Sequence, residues 1–89
     1  MIEKEVEVVN RLGLHARAAA KLVSLASSFA SSIQVEKDGR RVNGKSIMGV
    51  MMLAASQHSI IRLYIDGEDE HEAFAKIQAL IAERFGEDQ

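Results

Sequence analysis

Residues 32–43, with the sequence SIQVEKDGRRVN, contain the clearest indication of the fold of this chain. Ile33 and Val35 alternate with polar residues, which is typical of a β-strand with one buried face. Asp38-Gly39 is a two-residue turn signal, because both residue types tolerate the positive φ angles of a tight hairpin turn. A short partner strand over residues 40–43 completes the pattern, so the sequence predicts an antiparallel hairpin.

Outside this hairpin, the apolar pattern predicts two further strands and three helices. The strands are predicted over residues 3–9 and 60–66, and the helices over residues 16–29, 47–55 and from residue 69 to the stop at residue 86. The element order is therefore strand, helix, strand, strand, helix, strand, helix. This order predicts an α+β fold, a two-layer open-faced sandwich in which three helices cover one face of a four-stranded antiparallel sheet.

The ends of the last two helices are predicted from their capping residues. Ser46 precedes an apolar run and is predicted to cap the second helix. Asp69 and Glu72 have the spacing of a capping box, and Gly86 is the predicted C-terminal stop of the last helix. That helix is predicted to bury Phe74, Ile77, Ile81 and Phe85.

The composition excludes several classes of protein. A chain of 89 residues with 47% hydrophobic and 27% charged residues predicts one globular domain over residues 1–89. It has no cysteine for disulfides or thiolate metal sites. A net charge of −2 with 4% aromatic residues argues against nucleic-acid binding. The charged start MIEKEVEV has no apolar signal-peptide core, and no apolar run is long enough to span a membrane, so we expect a cytoplasmic location.

Residues 13–19, GLHARAA, place a histidine at the start of a predicted helix and an arginine two positions later. The free N–H groups of a first helical turn can bind an anion, and the positive helix end favours the neutral, nucleophilic imidazole of His15. Arg17 adds a bidentate donor for phosphate oxygens. These features predict that His15 accepts a phosphoryl group. On these local features alone, a solvated capping histidine is the simpler interpretation.

Two helix faces are candidate docking surfaces. On the first helix, Arg17 and Lys21 share a side with the small residues Ala20 and Ser24, which predicts a flat, positive surface beside the histidine. A solvated helix face is the alternative. The second helix is apolar all round: Val50, Leu53 and Ala54 are predicted to face the core, which leaves Met48, Met51 and Met52 outside. Exposed methionines suit several partners, and ordinary core filling is the alternative.

The remaining histidines do not form a metal site with His15. His58 and His71 share no metal-ligand spacing with His15, and no acidic cluster completes a site, so both are interpreted as solvated. We expect no metal and no cofactor.

The segments GLHAR (residues 13–17) and KSIMGVM (residues 45–51) together resemble the HPr family, the histidine-containing phosphocarriers of the phosphoenolpyruvate-dependent phosphotransferase system. The similarity extends over the whole chain, including the hairpin turn. The resemblance implies that His15 accepts the phosphoryl group through Nδ1 and that Arg17 stabilises the product. It also implies that Ser46 matches a position that a dedicated kinase, HPr kinase/phosphorylase, modifies in some members.

The same resemblance implies partners and a docking surface. Enzyme I is the expected donor and an enzyme IIA-type protein the expected acceptor, and the chain is expected to be a monomeric carrier and not an enzyme. Neither nucleic acid nor a membrane is an expected partner. Docking through the first two helices implies contacts at Leu12, Ala16, Ala20, Lys21, Ser24, Ile47, Met48, Gly49, Met51 and Met52.

One position departs from the common family pattern. Ala18 follows the His-Ala-Arg triplet where the family commonly has proline, and residues 10–21 look more like the nitrogen-related branch of the family. Transport of sugars and a regulatory function, signalled by the phosphorylation of His15 or Ser46, therefore both stay open. An independent hydrolase or a nucleic-acid module is not supported, because the chain lacks a catalytic constellation and a basic surface.

Overall fold

The computed structural model of the chain describes all 89 residues and has the predicted order of elements. Its elements are β1 (Ile2–Glu7), α1 (Ala16–Ser27), β2 (Ser32–Lys37), β3 (Arg40–Asn43), α2 (Ile47–Met52), β4 (Ile60–Asp66), α3 (Glu70–Ala82) and a short 3₁₀ turn (Arg84–Gly86). The strands form one four-stranded antiparallel sheet, so the predicted α+β open-faced sandwich is confirmed. None of the helices has the length and apolar character that a membrane crossing needs.

The strand order β1-β4-β2-β3 places the last strand in the chain beside the first. In β4, the residues Ile61, Leu63 and Ile65 are fully buried, whereas Arg62 and Tyr64 between them are half-buried on the other face. This alternation is the predicted one, because successive side chains of a strand point to opposite faces. The two edge strands, β1 and β3, carry mainly charged and polar side chains, which is typical of edges that are protected from pairing with other chains.

The core lies between the sheet and the helices and contains 20 buried hydrophobic residues. Leu22 of α1, Val50 of α2 and Ile77 of α3 are each fully buried in it. Each helix therefore docks through its apolar face, and burial of such faces is the main stabilising contribution in a small domain.

The hairpin turn between β2 and β3 has the predicted geometry. Asp38 and Gly39 have φ angles of 52° and 82°, as the sequence pattern requires. The predicted strand boundaries of β2 and β3 are confirmed.

Three predicted boundaries are wrong by a few residues. The first strand ends at Glu7, because the next residues bond to the loop before β4: His58 N–H donates to Val8 O at 2.6 Å. Helix α1 ends at Ser27 and not at residue 29. Helix α2 ends at Met52, since Ala54 has a φ of 50°, and Ala54 is exposed and not part of the core as predicted.

The predicted capping box of the last helix is wrong. Asp69 makes no side-chain hydrogen bond to α3. Its carboxylate instead accepts from the N–H of Ala30 at 2.8 Å and from the N–H and hydroxyl of Ser31 at 3.0 and 2.5 Å. These hydrogen bonds lower the pKa of Asp69 below its usual value. The bond from the Ser31 hydroxyl makes the largest contribution to this shift. Asp69 therefore ties the start of α3 to the turn after α1.

The C-terminal end of α3 also differs from the prediction. The helix ends at Ala82, and Arg84 and Phe85 have φ angles of 58° and 56°, so the chain turns before Gly86. Phe85 is fully buried as predicted, but it lies in the 3₁₀ turn, and Phe74 is only half-buried. The turn directs the last residues of the chain back towards the start of α1.

Candidate functional site

His15 is the N-cap residue of α1. Its backbone is extended, with φ −73° and ψ 179°, and its ring Nδ1 accepts a hydrogen bond from the backbone N–H of Arg17 at 3.3 Å. The N–H groups of Ala16 and Ala18 have no acceptor within the chain. Ala16 is exposed whereas Ala18 is fully buried. Nδ1 therefore lies at the positive end of a helix, beside the N–H of Ala16, which is free to bind an anion.

The loop before α1 fixes the position of this histidine. Leu14 is buried, and its N–H donates to Ala55 O at 2.8 Å. Gly13 has a φ of 67°, and a Cβ atom at this position would lie 2.3 Å from the same carbonyl oxygen. A side chain at residue 13 would therefore push the loop away from Ala55, so glycine is required by the close approach of the two segments.

The second ring nitrogen of His15 contacts a residue from the other end of the chain. Nε2 lies 2.5 Å from Oε2 of Glu87, and the two side chains are only 29% and 15% exposed. Oε1 of Glu87 accepts from Nδ2 of the fully buried Asn10 at 3.0 Å. Burial opposes ionisation of this carboxyl, but the hydrogen bonds from Asn10 and His15 outweigh it and lower the pKa of Glu87. Glu87 is thus an ionised acceptor for an Nε2–H proton.

Reasoning from sequence missed Glu87. It lies 72 positions from His15, beyond the last helix, and no local pattern relates residues at that separation. The sequence pattern also does not predict the short turn that reverses the chain after α3, so nothing in it places the C-terminal residues at the start of α1.

An open depression of about 600 Å³ surrounds the His15 ring, and its lining includes Leu12, Arg17 and Glu87. The Arg17 side chain is exposed, and its guanidinium makes no hydrogen bond or ion pair within the chain. A nucleophilic nitrogen, the free backbone N–H of Ala16 and an unpaired guanidinium therefore face the same space. This combination suits the acceptance of a phosphoryl group.

Helix α2 presents an apolar surface beside this site. Met48, Met51 and Met52 are all exposed, while Val50 and Leu53 of the same segment are buried. The alternative that the methionines fill the core is therefore wrong. Ser46 is confirmed as the cap of α2, since its Oγ accepts from the N–H of Gly49 at 3.1 Å.

The predicted docking residues differ in exposure. Leu12, Ala16, Lys21, Ser24 and Ile47 are exposed, whereas Ala20 and Gly49 are half-buried. Lys21 also has a contact that the sequence did not predict: its Nζ donates to Phe85 O at 2.6 Å and so holds the turn that leads to Glu87.

The other two histidines lie away from this site. His58 Nδ1 lies 2.8 Å from Oε2 of Glu7, and His71 is exposed at the start of α3. The chain has no cluster of three or more histidine, cysteine or acidic side chains that could hold a metal ion.

Comparison with known proteins agrees with this geometry. A family model described as the PTS HPr component phosphorylation site matches residues 2–83. The chain belongs to the HPr family. It is therefore a phosphocarrier of the phosphotransferase system and not an enzyme. The phosphocarrier protein HPr of Xylella fastidiosa (strain Temecula1) is 57% identical over 88 residues, which cover 99% of each chain.

Solved structures of HPr proteins have the same fold. The crystal structure of HPr-C-His from Thermoanaerobacter tengcongensis has a TM-score of 0.96 and 48% identity, with 100% of both chains covered. The crystal structure of an HPr dimer from the same organism has a TM-score of 0.79 and 49% identity, and covers 98% of this chain and 100% of that one. An HPr protein can thus be dimeric, so the monomeric state of this chain stays a prediction.

Proposed function

We propose that this chain accepts a phosphoryl group on Nδ1 of His15 from enzyme I, which obtains it from phosphoenolpyruvate, and transfers it to an enzyme IIA-type protein. The observation that supports this most strongly is the position of Nδ1 at the start of α1, with Nε2 engaged by Glu87. With the proton on Nε2, Nδ1 is the ring nitrogen with a lone pair, and its bond to phosphorus replaces the weak 3.3 Å hydrogen bond that it accepts from the N–H of Arg17. Membership of the HPr family supports a phosphohistidine carrier of this kind.

The chemical step needs little movement of the chain. The Nδ1 lone pair forms a bond to phosphorus while the bond between phosphorus and the donor breaks, and the donor keeps that electron pair. The new phosphoryl oxygens then lie near the free N–H group of the exposed Ala16 and near the guanidinium of Arg17. Hydrogen bonds from charged donors each contribute about 1.5–3 kcal/mol, which is enough to stabilise the product briefly without trapping it.

The donor and acceptor proteins are proposed to dock on the combined surface of α1 and α2. Arg17 and Lys21 supply positive charge, and the exposed methionines of α2 supply an adaptable apolar area. A partner with an acidic rim around an apolar centre fits this surface. We propose that the carrier works in the cytoplasm as a monomer. Either biological role, sugar transport or nitrogen-related regulation, would use the same chemistry at His15.

Incubation with enzyme I and labelled phosphoenolpyruvate tests the proposed acceptor. The wild-type chain and the His58→Ala control should become labelled, and the His15→Ala variant should not. The label should be acid-labile and alkali-stable, as for a phosphoramidate. Retained labelling of His15→Ala would rule out His15 as the acceptor.

A second role, regulation through Ser46, is proposed from its position as the cap of α2 beside the exposed methionines. Phosphorylation there would add a charge of about −1.5 to −2, which the helix N-terminus tolerates and an acidic partner does not. HPr kinase/phosphorylase is the kind of enzyme proposed to add it. In the alternative, Ser46 acts as a helix cap only.

Affinity for enzyme I tests both surface proposals in one experiment. Ser46→Asp and Met48→Asp should each weaken binding while the free energy of unfolding stays within about 0.5 kcal/mol of wild type. Unchanged affinity with unchanged stability in Ser46→Asp would favour the cap-only role. A large loss of stability in Met48→Asp would contradict the docking surface.

A further inference from the structure

We propose that Glu87 holds the proton on Nε2 of His15 throughout the phosphorylation cycle, and is therefore a positioning residue for phosphoryl transfer at Nδ1. The inference rests on the proposed function, because it concerns the same histidine. It adds a residue from the C-terminal end of the chain to the machinery at the start of α1.

The Glu87 carboxylate is fixed from several directions. Oε2 lies 2.5 Å from His15 Nε2, and Oε1 accepts from Nδ2 of Asn10, which is itself fully buried and also donates to Gly13 O at 2.8 Å. The chain on either side of Glu87 is also held. Lys21 donates to Phe85 O, and the N–H of Arg11 donates to Gln89 O at 3.0 Å. The carboxylate is thus positioned by contacts that do not involve the imidazole.

These contacts select one tautomer of the unphosphorylated ring. With the proton on Nε2, that nitrogen donates to Glu87 and Nδ1 accepts from the N–H of Arg17. With the proton on Nδ1, two N–H groups would face each other at one end of the ring, and a lone pair would face a carboxylate at the other. Both contacts of the second tautomer are repulsive, so Nδ1 keeps the lone pair that attacks phosphorus.

The same proton has a function after phosphorylation. When Nδ1 carries the phosphoryl group and Nε2 keeps its proton, the ring is positively charged, and the carboxylate of Glu87 balances this charge at hydrogen-bond distance. A protonated ring is the better leaving group, because the electron pair of the broken N–P bond returns to Nδ1 of a neutral imidazole. No proton needs to be added or removed in either direction of transfer.

Apart from Glu87, the charged side chains that line the depression around the ring are cationic. Arg11 and Arg17 line the depression around His15, and Lys21 acts on Glu87 from the side of α1. None of them can accept the Nε2 proton. Glu87 is therefore the group whose removal should change protonation of the phosphorylated ring.

The variant Glu87→Gln keeps the size of the side chain and removes its charge, and Asp88→Asn is the matched control because Asp88 is exposed in the same segment. Each protein is phosphorylated with enzyme I and phosphoenolpyruvate, and the phosphorylated ring is titrated by ¹⁵N NMR. The midpoint pH of that ring should fall by about one unit or more in Glu87→Gln and stay unchanged in Asp88→Asn. Urea unfolding of each variant shows that the shift does not come from loss of structure.

A measurement on the wild-type chain covers the case in which Glu87→Gln does not fold. The ring ¹⁵N resonances of the unphosphorylated protein should show the proton on Nε2, and a proton on Nδ1 would overturn the inference. An unchanged midpoint in a folded Glu87→Gln variant that is labelled normally would also overturn it, and would leave the proposed function intact. Failure of the wild-type chain to be labelled at His15 would overturn both.

Discussion

His15 and His58 each contact a glutamate carboxylate, but through different ring nitrogens and in different surroundings. His15 uses Nε2 to reach Glu87, with exposures of 29% and 15% for the two side chains. His58 uses Nδ1 to reach Glu7, with exposures of 69% and 47%. His15 caps a helix, whereas His58 lies in the loop before β4 with a φ of 72°.

The difference shows that a histidine–carboxylate pair does not by itself identify a site. Nδ1 of His15 lies at the start of a helix, beside the unpaired N–H of Ala16, and the carboxylate that contacts Nε2 is held by the buried Asn10. The His58 pair lies mostly in water, where such contacts contribute little to stability. The His15 pair therefore differs from the His58 pair in two respects. Its contact through Nε2 is largely buried, and its Nδ1 lies at the start of a helix.

Of the substitutions considered, that of Arg17 should have the largest effect, which is on the rate of labelling at His15. Arg17→Ala removes a charge-assisted contact to the phosphoryl group, so we expect labelling from enzyme I to slow by roughly tenfold to a hundredfold. Arg62→Ala is the control, because Arg62 lies on the opposite face of the sheet and pairs with Glu3 and Glu5. Equal rates in the two variants would show that Arg17 does not act on the phosphoryl group.

Double-mutant cycles should then separate the two pairs by stability. We expect a coupling free energy of about 1 kcal/mol or more between His15 and Glu87 at pH 7, and a smaller one between His58 and Glu7. The pKa of Glu87 is lowered by folding from its ordinary value of 4.5, so its contribution to stability is present above that pH and is lost as the pH falls through the folded value.

Urea unfolding of the single and double variants between pH 3 and 7 gives the coupling free energy of each pair and its dependence on pH. Equal coupling energies for the two pairs would mean that the buried surroundings of Glu87 add nothing to stability. A His15–Glu87 coupling that does not weaken as the pH falls from 4.5 to about 3 would contradict an ionised Glu87.

The smallest expected effect comes from Ala18, the third residue of α1 after the His15 cap. Its N–H has no acceptor within the chain, so Ala18→Pro loses no hydrogen bond and restricts the unfolded chain. We expect the variant to be more stable by about 0.4–1 kcal/mol and to be labelled at His15. Ala18 is fully buried, so a marked loss of stability in calorimetry would show that the first turn has no room for the proline ring.

Features that depend on neighbouring residues were predictable from the sequence. The turn at Asp38 and Gly39 needs only the φ preferences of two residues, and the cap at Ser46 needs only a hydroxyl before an apolar run. The placement of His15 at the start of α1 follows from the helical spacing after it. For these parts, local chemistry and the folded structure favour the same arrangement.

Features that depend on distant contacts were not predictable. Asp69 has the spacing of a capping box, yet its carboxylate bonds to Ser31, 38 positions away. No local sequence pattern marks Glu87 as a site residue. Its position depends on the turn at Arg84 and Phe85, which have positive φ, and on a hydrogen bond from the buried Asn10 near the other end of the chain. In both cases, tertiary contacts decide between local options that the sequence leaves equal.

The hydrogen bond between His15 and Glu87 joins residues 72 positions apart, so it closes nearly the whole chain into a loop. Closing a loop of this length has a large cost in chain entropy, so such a contact stabilises the chain only after the sheet and helices between the two residues have formed. Transfer competence should therefore be one of the last properties to appear during refolding. A synthetic peptide of residues 13–19 would retain the nucleophile and lose its proton holder.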